Sequence, residues 1–199
     1  MVLLGKILRE YGMRSHIIQN VVGTETRGVS QREGSVSATA RYLIDTKIDL
    51  SEGNYSVDEL ISPLIPINDA HLVLGLEPLE TLRNIKYLSN KTTVILNTHK
   101  NYPRNVITGS EKERTYPENN EIINTLNQLT KQIIPRDFNE IAKSKLNNSI
   151  YTNVVILGIS VREYKDIFDK KLLIKVIKDF LEKDKTNIEA FEIGYNLTS

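Results

Sequence analysis

The stretch that decides the fold is His71-Leu72-Val73-Leu74-Gly75-Leu76, followed at once by Glu77-Pro78. A continuous apolar run of this length is typical of a central parallel strand that is covered on both faces. Glu77-Pro78 ends the run, and proline is well tolerated in the first turn of a helix. The apolar side of the helix predicted to follow is formed by Leu79, Leu82, Ile85, Tyr87 and Leu88. We therefore predict a strand that leads directly into a helix, as in α/β proteins.

Further strands and helices are predicted on both sides of this unit from hydrophobic periodicity. They are a helix over 1–12, strands at His16–Val22, Val36–Ile44, Thr92–Leu96, Val106–Ile107 and Gln132–Ile134, and helices at Ile122–Leu129, from Asp137 with Glu140, at Leu172–Leu181 and at Asn187–Tyr195. The run Val154–Ile159 fits either a strand or a buried helix, and we favour the helix. The whole pattern predicts one domain over 1–199, a three-layer α/β/α sandwich with a mainly parallel sheet.

Composition excludes several classes of partner. The chain has 199 residues, and its 26 Lys and Arg nearly cancel its 25 Asp and Glu, which are interspersed along the sequence. Such a balance provides no basic surface for nucleic acid or for an anionic membrane. The longest apolar runs are also far shorter than the roughly 20 residues that span a bilayer. We predict no nucleic-acid or membrane partner and expect a cytoplasmic protein.

The chain shows no self-contained active site. It has no cysteine, which excludes disulfides, cysteine-ligated zinc and an iron–sulfur cluster held by this chain. His16, His71 and His99 lie far apart and lack a second metal ligand at a suitable spacing, so we expect structural or incidental roles for them. The usual hydrolase, nucleotidase and metalloprotease motifs are missing as well. We assign no catalytic residue and no metal site to this chain.

The polar segment Thr24–Val36, which contains two arginines and two glycines, is the best candidate for recognition. Glycine allows close backbone approach, arginine offers a forked donor for phosphate or carboxylate, and Ser, Thr and Gln add neutral hydrogen bonds. Ligands of open α/β sheets bind beyond the carboxyl ends of strands, where we expect this segment to lie. An ordinary solvated turn explains the same composition equally well.

A resemblance to a known family separates these two alternatives. Thr26–Val36 resembles the Gly-Met-(Ala/Ser)-Gln-Arg-Gly-Gly-Ser-Val loop in the small (beta) subunit of indolepyruvate ferredoxin oxidoreductase. That subunit is related to the gamma domain of pyruvate and other 2-oxoacid:ferredoxin oxidoreductases. Further similar stretches follow in the family's order: Ser62–Pro66, Leu76–Arg83, Val94–Thr98, Asn153–Gly158 and Asn187–Gly194. Several ordered matches are more specific than any one of them.

The resemblance implies a subunit that is not active alone. The holoenzyme would oxidatively decarboxylate a 2-oxoacid, indolepyruvate or another aryl pyruvate, to an acyl-CoA and pass the electrons to ferredoxin. Thiamine diphosphate and the iron–sulfur clusters would belong to a larger partner subunit, coenzyme A would be a co-substrate, and this chain would hold no cofactor. Gln31, Arg32, Gly34 and Ser35 would face the substrate, the coenzyme A or the partner's cofactor, with Arg32 as the anion contact.

The sequence departs from the family pattern at three places. Members of the family open with a strand and a Gly-x-Gly-Gly-Gln-Gly loop, whereas this sequence starts at the helix that follows, with Met1–Leu8. Either the start codon has been placed too late or the protein is truncated. We favour the first and expect the DNA upstream of Met1 to encode the strand, since losing a central strand leaves sheet edges unpaired. Arg27 stands where the family usually has His, and Glu33 replaces the first glycine of Gly-Gly. These departures motivate an alternative function, a non-catalytic α/β binding or assembly module derived from the family.

Overall fold

The structure, a computed structural model, describes residues 3–27, 36–44, 62–101, 116–181 and 185–197. Contacts along the chain divide it into two units. The first unit combines Met1–Ile65 with Asn153–Leu197, and the second unit comprises Pro66–Thr152. This division does not test the single domain expected over 1–199, which stays a prediction.

A parallel sheet forms the centre of the second unit. Its strands are β3 (Leu72–Gly75), β4 (Thr93–Asn97) and β5 (Gln132–Arg136), in the order β3-β4-β5, and both pairs are parallel. Every residue of β4 is buried, as expected for a central strand. The α/β class and the parallel sheet predicted from the apolar runs are confirmed.

The helices of the second unit follow the strands. They are α2 (Pro78–Arg83), α3 (Asn119–Asn127) and α4 (Phe138–Leu146), with 3-10 turns at Ile85–Tyr87 and Ser149–Tyr151. One face of the sheet packs on α2 and α3 through a core of Leu88, Val94, Leu96, Tyr116, Ile122 and Leu126. The helix predicted to run on from Leu79 ends at Arg83. It ends there because the Asn84 side-chain amide donates a hydrogen bond to the Glu80 carbonyl at 2.8 Å.

The first unit contains α1 (Leu3–Arg14), α6 (Lys170–Phe180), α7 (Lys185–Asn196) and α5 (Thr152–Glu163), which enters it at Asn153. The run that fitted a strand or a helix lies in α5, so the helix favoured from the sequence is confirmed. Within the described ranges, no helix combines the length and the apolar character that crossing a bilayer requires.

Two glycines allow α5 and α7 to approach backbone to backbone. A Cβ atom on Gly158 would collide with the carbonyl oxygen of Phe191, and one on Gly194 would collide with that of Val155. Both glycines end sequence stretches that carry the family resemblance, Asn153–Gly158 and Asn187–Gly194. This part of the resemblance therefore has a packing explanation in the first unit.

An antiparallel hairpin completes the first unit. Strands β1 (Ile18–Arg27) and β2 (Val36–Ile44) pair from Ile18 with Ile44 to Arg27 with Val36. Two expectations are corrected here. Residues 23–27, expected to belong to the polar connection, belong to a strand, since a partly solvent-accessible hairpin tolerates threonine and charge. The connection also joins antiparallel strands, so the rule for the carboxyl ends of parallel strands does not place it.

The segment predicted to carry a short strand at Val106–Ile107 lies outside the described residues.

Candidate functional site

The four residues predicted to face a ligand or partner are Gln31, Arg32, Gly34 and Ser35, and they lie outside the described residues. What the structure describes is the hairpin that leads to them. Because Arg27 pairs with Val36, the segment that holds the four residues starts and ends at one end of the hairpin. We call the described part of this end, 24–27 with 36–39, the hairpin end.

Four hydroxyl side chains share one face of the hairpin end. Thr24 pairs with Thr39, and Thr26 pairs with Ser37, two positions further along each strand. Since side chains alternate between the two faces of a strand, these four lie on the same face. Thr26 and Ser37 are exposed, whereas Thr24 and Thr39 are half-buried. The face offers neutral hydrogen-bond donors and acceptors on the strands that flank the predicted site residues in the sequence.

The other end of the hairpin is fastened to α1. The Tyr42 hydroxyl donates to the Leu8 carbonyl at 2.7 Å, and Gly12 lets the Tyr42 ring and Val21 pack closely against the helix. Burial, with a smaller effect from neighbouring Tyr11, raises the pKa of Tyr42. The phenol therefore remains protonated and keeps its donor role. This contact holds the hairpin in place at the end far from the predicted site.

A second tether lies along β2. The Thr39 hydroxyl donates to the Pro63 carbonyl at 2.8 Å, and the Arg41 guanidinium donates to the Ser62 carbonyl at 2.6 Å. Both acceptors lie in Ser62–Pro66, one of the stretches that carry the family resemblance. The resemblance therefore covers the acceptor side of the contacts that position the hairpin end, while the donors Thr39 and Arg41 follow the resembling stretch Thr26–Val36.

The second unit has its own candidate region, at the carboxyl ends of the three parallel strands. All three strands end at this edge, which is where open α/β sheets bind ligands. Asn97, only 3% exposed, is its central residue. Its amide nitrogen donates to Leu76 O and Asn139 Oδ1, both at 3.0 Å, and its oxygen accepts the Phe138 N–H at 3.0 Å. We call this region, comprising Glu77, Asn97, Arg136 and Asn139, the carboxyl edge.

The carboxylate of Glu77 is held at the start of α2. It accepts the Glu80 N–H at 2.8 Å and is hydrogen-bonded by the Tyr116 hydroxyl, whose oxygen accepts the Leu79 N–H at 3.1 Å. The Lys100 ammonium lies 5.3 Å from the centre of the Tyr116 ring. An acidic residue at a helix N-cap offsets unpaired backbone N–H groups. Glu77 therefore has a structural role in this edge.

His99 and Asp137 meet at the same edge. His99 Nδ1 lies 3.6 Å from Asp137 Oδ2, and both side chains are about half exposed. Asp137 also caps α4 by accepting the Glu140 N–H at 2.8 Å. Within the described ranges, no group of three or more His, Asp or Glu residues could hold a metal ion.

An iron–sulfur cluster does not fit the donor atoms of this chain. Such clusters are held by cysteine thiolates, and the sequence contains no cysteine. Glu77 of the carboxyl edge and the neighbouring Asp137 are engaged at helix N-caps.

Sequence reasoning did not single out Asn97, Arg136 or Asn139. The available signal was position, since Asn97 ends a buried strand and Arg136 ends its parallel neighbour. Val94–Thr98 also carries part of the family resemblance. A polar residue at the carboxyl end of a parallel strand is a candidate for ligand contact. The pairing of strands was needed to bring these residues together.

In the comparison with known proteins, the hairpin end and the carboxyl edge both fall within the match to one protein family. The model of the pyruvate ferredoxin/flavodoxin oxidoreductase family matches residues 1–197. The indolepyruvate oxidoreductase subunit IorB of Archaeoglobus fulgidus is 34% identical over 96% of this chain and 85% of its own length. IorB of Methanothermobacter thermautotrophicus is 30% identical over 95% of this chain and 87% of its own length.

A solved structure has the same fold. The gamma subunit of keto/oxoacid ferredoxin oxidoreductase from Geobacter sulfurreducens matches with a TM-score of 0.56 and 14% identity, over 98% of this chain and 88% of its own. The match supports the α/β fold with its parallel sheet. Because the family model spans almost the whole sequence and full-length relatives share about a third of its residues, the chain belongs to the pyruvate ferredoxin/flavodoxin oxidoreductase family.

Proposed function

We propose that this chain is the small subunit of a 2-oxoacid:ferredoxin oxidoreductase that acts on indolepyruvate or another aryl pyruvate. The observation that carries the proposal is the 34% identity to an indolepyruvate oxidoreductase subunit over 96% of the chain. The holoenzyme converts the 2-oxoacid and coenzyme A to an acyl-CoA and carbon dioxide, and the electrons pass to ferredoxin. The chain is inactive alone.

The partner in this proposal is a larger subunit that carries thiamine diphosphate and the iron–sulfur clusters. Such cofactors supply the difficult chemistry, while protein groups bind and orient the reactants. The composition of this chain supports the division of labour, because it has no cysteine to ligate a cluster. Its own contribution is to complete the site from one side.

The hairpin carries that contribution. Gln31, Arg32, Gly34 and Ser35 come between two paired strand ends in the sequence, and those strands carry the hydroxyl face of Thr24, Thr26, Ser37 and Thr39. In the proposal these residues face the substrate, the coenzyme A or the partner's cofactor. Arg32 contacts an anionic group, since a guanidinium can make two parallel hydrogen bonds to a carboxylate or phosphate.

Co-expression tests the assignment directly. The chain is produced with the larger subunit from the same organism, the complex is purified, and reduction of a viologen dye is followed with indolepyruvate and coenzyme A. We expect reduction that requires both compounds and both subunits. A stable complex without reduction would support the alternative, a non-catalytic assembly module. Failure to form any complex would contradict both functions.

The Arg32 assignment is tested in the same complex. Arg32→Ala should raise the KM for coenzyme A or for the 2-oxoacid by about tenfold or more, because a charge-assisted contact is lost. Arg83→Ala is the matched control, since Arg83 is an exposed arginine on α2 that pairs with Glu80. Unchanged KM values for both reactants in Arg32→Ala would remove Arg32 from the site while leaving the subunit assignment intact.

A further inference from the structure

Arg136, the last residue of β5, has an unusual environment for a partly buried arginine. Its Nη1 donates to the Pro135 carbonyl at 2.8 Å, and no carboxylate of the described chain forms an ion pair with it. Arg83, the other described arginine of the second unit, is paired with Glu80. A guanidinium has five N–H donors and no acceptor. Arg136 therefore presents several donors, and a full positive charge, without an anionic partner in the described chain.

Asn139 is related to Arg136 through Asn97, because Asn97 is the register partner of Arg136 on the neighbouring strand and its side chain is bonded to Asn139. The Asn139 Oδ1 accepts a hydrogen bond from the buried Asn97 amide at 3.0 Å, which sets the orientation of the Asn139 side chain. The Nδ2 group therefore points away from Asn97, and no acceptor in the described chain contacts it. Asn97 is itself held by Leu76 and Phe138. The buried Asn97 amide thus fixes the orientation of the partly buried Asn139 side chain near the end of β5.

The nearby carboxylates do not compete for these donors. Asp137 lies between Arg136 and Asn139 in sequence, but its oxygens are directed to the Glu140 N–H and to His99. Glu77 is occupied by the Glu80 N–H and the Tyr116 hydroxyl. The junction from β5 to α4 therefore combines one cation and one amide, both with donors to spare. Such a pair is suited to an oxyanion.

We propose that Arg136 and Asn139 form a binding position for a small anionic group, a phosphate or a carboxylate, at the carboxyl end of the parallel sheet. Arg136 supplies the charge and a forked donor. Asn139 supplies a second, neutral donor held in place by Asn97. Both residues belong to the second unit. Binding of an anion by these two side chains does not depend on the proposed redox function.

Binding is measured on the full chain by NMR. The chain, labelled with nitrogen-15, is titrated with inorganic phosphate and separately with sodium acetate at constant ionic strength. Signals of the Arg136 Nε–H and the Asn139 side-chain amide should shift and saturate with at least one of the two anions. Tighter binding of phosphate would identify a phosphate position, and tighter binding of acetate would identify a carboxylate position.

Two variants and one control complete the experiment. Arg136→Gln should weaken binding by about tenfold or more, which is the loss of one charge-assisted contact. Asn139→Asp keeps an oxygen for Asn97 and places an acid in the first turn of α4, so the fold is retained while the anion is repelled. Arg83→Gln should bind as the unmodified chain does.

The proposal is overturned if neither anion produces saturable shifts at Arg136 and Asn139. It is also overturned if Arg136→Gln and Asn139→Asp bind as tightly as Arg83→Gln. Because the readout is binding to this chain, a failure here leaves the subunit assignment untouched, and a failure of the dye assay leaves this position untouched.

Discussion

The hairpin end and the carboxyl edge are built in different ways. In the hairpin Ile18 is buried, and the other side chains whose exposure is described are half-buried or exposed. The hairpin is held by side-chain contacts such as those of Tyr42 and Thr39. At the carboxyl edge, by contrast, the buried Asn97 joins two strand ends and the start of a helix through hydrogen bonds. The first region is held by a few tethers, and the second is a polar network organised around one buried amide.

This difference separates the strength of a sequence motif from the contribution that a region makes to stability. The hairpin carries the most recognisable sequence motif, yet a partly solvent-accessible hairpin gains little stability from its own contacts. The carboxyl edge carries a weaker motif, but its central side chain, Asn97, is buried, and a buried amide has to be paired. Substitutions should therefore reduce stability more at the carboxyl edge than at the hairpin. Four substitutions, from the largest expected effect to the smallest, test this order.

Asn97→Leu should lower the free energy of unfolding by about 3 kcal/mol. The change removes an amide of similar size and leaves the Leu76 carbonyl and the Phe138 N–H without a side-chain partner. Urea denaturation followed by circular dichroism measures the loss. Asn90→Leu, at an exposed asparagine, is the control and should change stability by about 0.5 kcal/mol or less. Equal losses in the two variants would contradict the central role of Asn97.

Tyr116→Phe should cost about 1.5 kcal/mol, since it removes the hydroxyl that bonds Glu77 and accepts the Leu79 N–H. The ring and its packing are preserved, so the loss reports the hydrogen bonds alone. Tyr87→Phe is the control in the same unit, because its hydroxyl makes no hydrogen bond within the described chain. A difference between the two variants that lies within experimental error would show that the Glu77 network adds no stability.

Tyr42→Phe should cost about 1 kcal/mol by removing the hydrogen bond to the Leu8 carbonyl. The substitution should lower the free energy of opening the hairpin more than the free energy of unfolding the whole chain. Amide hydrogen exchange of β1 and β2 should therefore accelerate more than exchange of β4. Tyr195→Phe serves as the control in the first unit. Uniform acceleration in both sheets would mean that the hairpin does not open separately.

Thr39→Val should have the smallest effect, about 0.5 kcal/mol, because it removes one half-buried hydrogen bond to the Pro63 carbonyl and keeps a β-branched side chain. Thr26→Val, on the same face but exposed, is the matched control. The measurement is the urea midpoint of the two variants side by side. A loss at Thr39 as large as that of Asn97→Leu would reverse the proposed order of the two regions.

Much of the fold could be predicted from the sequence, because buried strands and amphipathic helices leave periodic patterns. The apolar runs at 71–76 and 92–96 become β3 and β4, and the amphipathic pattern over 172–181 becomes α6. The end of α2 could not be predicted, since Asn84 ends it by a specific side-chain hydrogen bond. The strand character of 23–27 was also missed, because a partly solvent-accessible hairpin needs no apolar alternation.

The candidate site was predictable only in part. Gln31 and Arg32 follow from a motif and remain predictions, because they lie outside the described residues. Asn97 lies 42 residues before Asn139 in the sequence, and only strand pairing brings it to one edge with Arg136 and Asn139. No local pattern reports the pairing of two distant strands.

The sequence by itself determined the α/β class, the family resemblance and the inability of this chain to ligate an iron–sulfur cluster, because these depend on residue types and local periodicity. Only the tertiary structure decided that the motif-bearing strands form an antiparallel hairpin apart from the parallel sheet. It also decided which donors remain available at the carboxyl edge. The physical reason is that hydrogen bonds between distant residues, such as Asn97 with Asn139, exist only after the strands have paired.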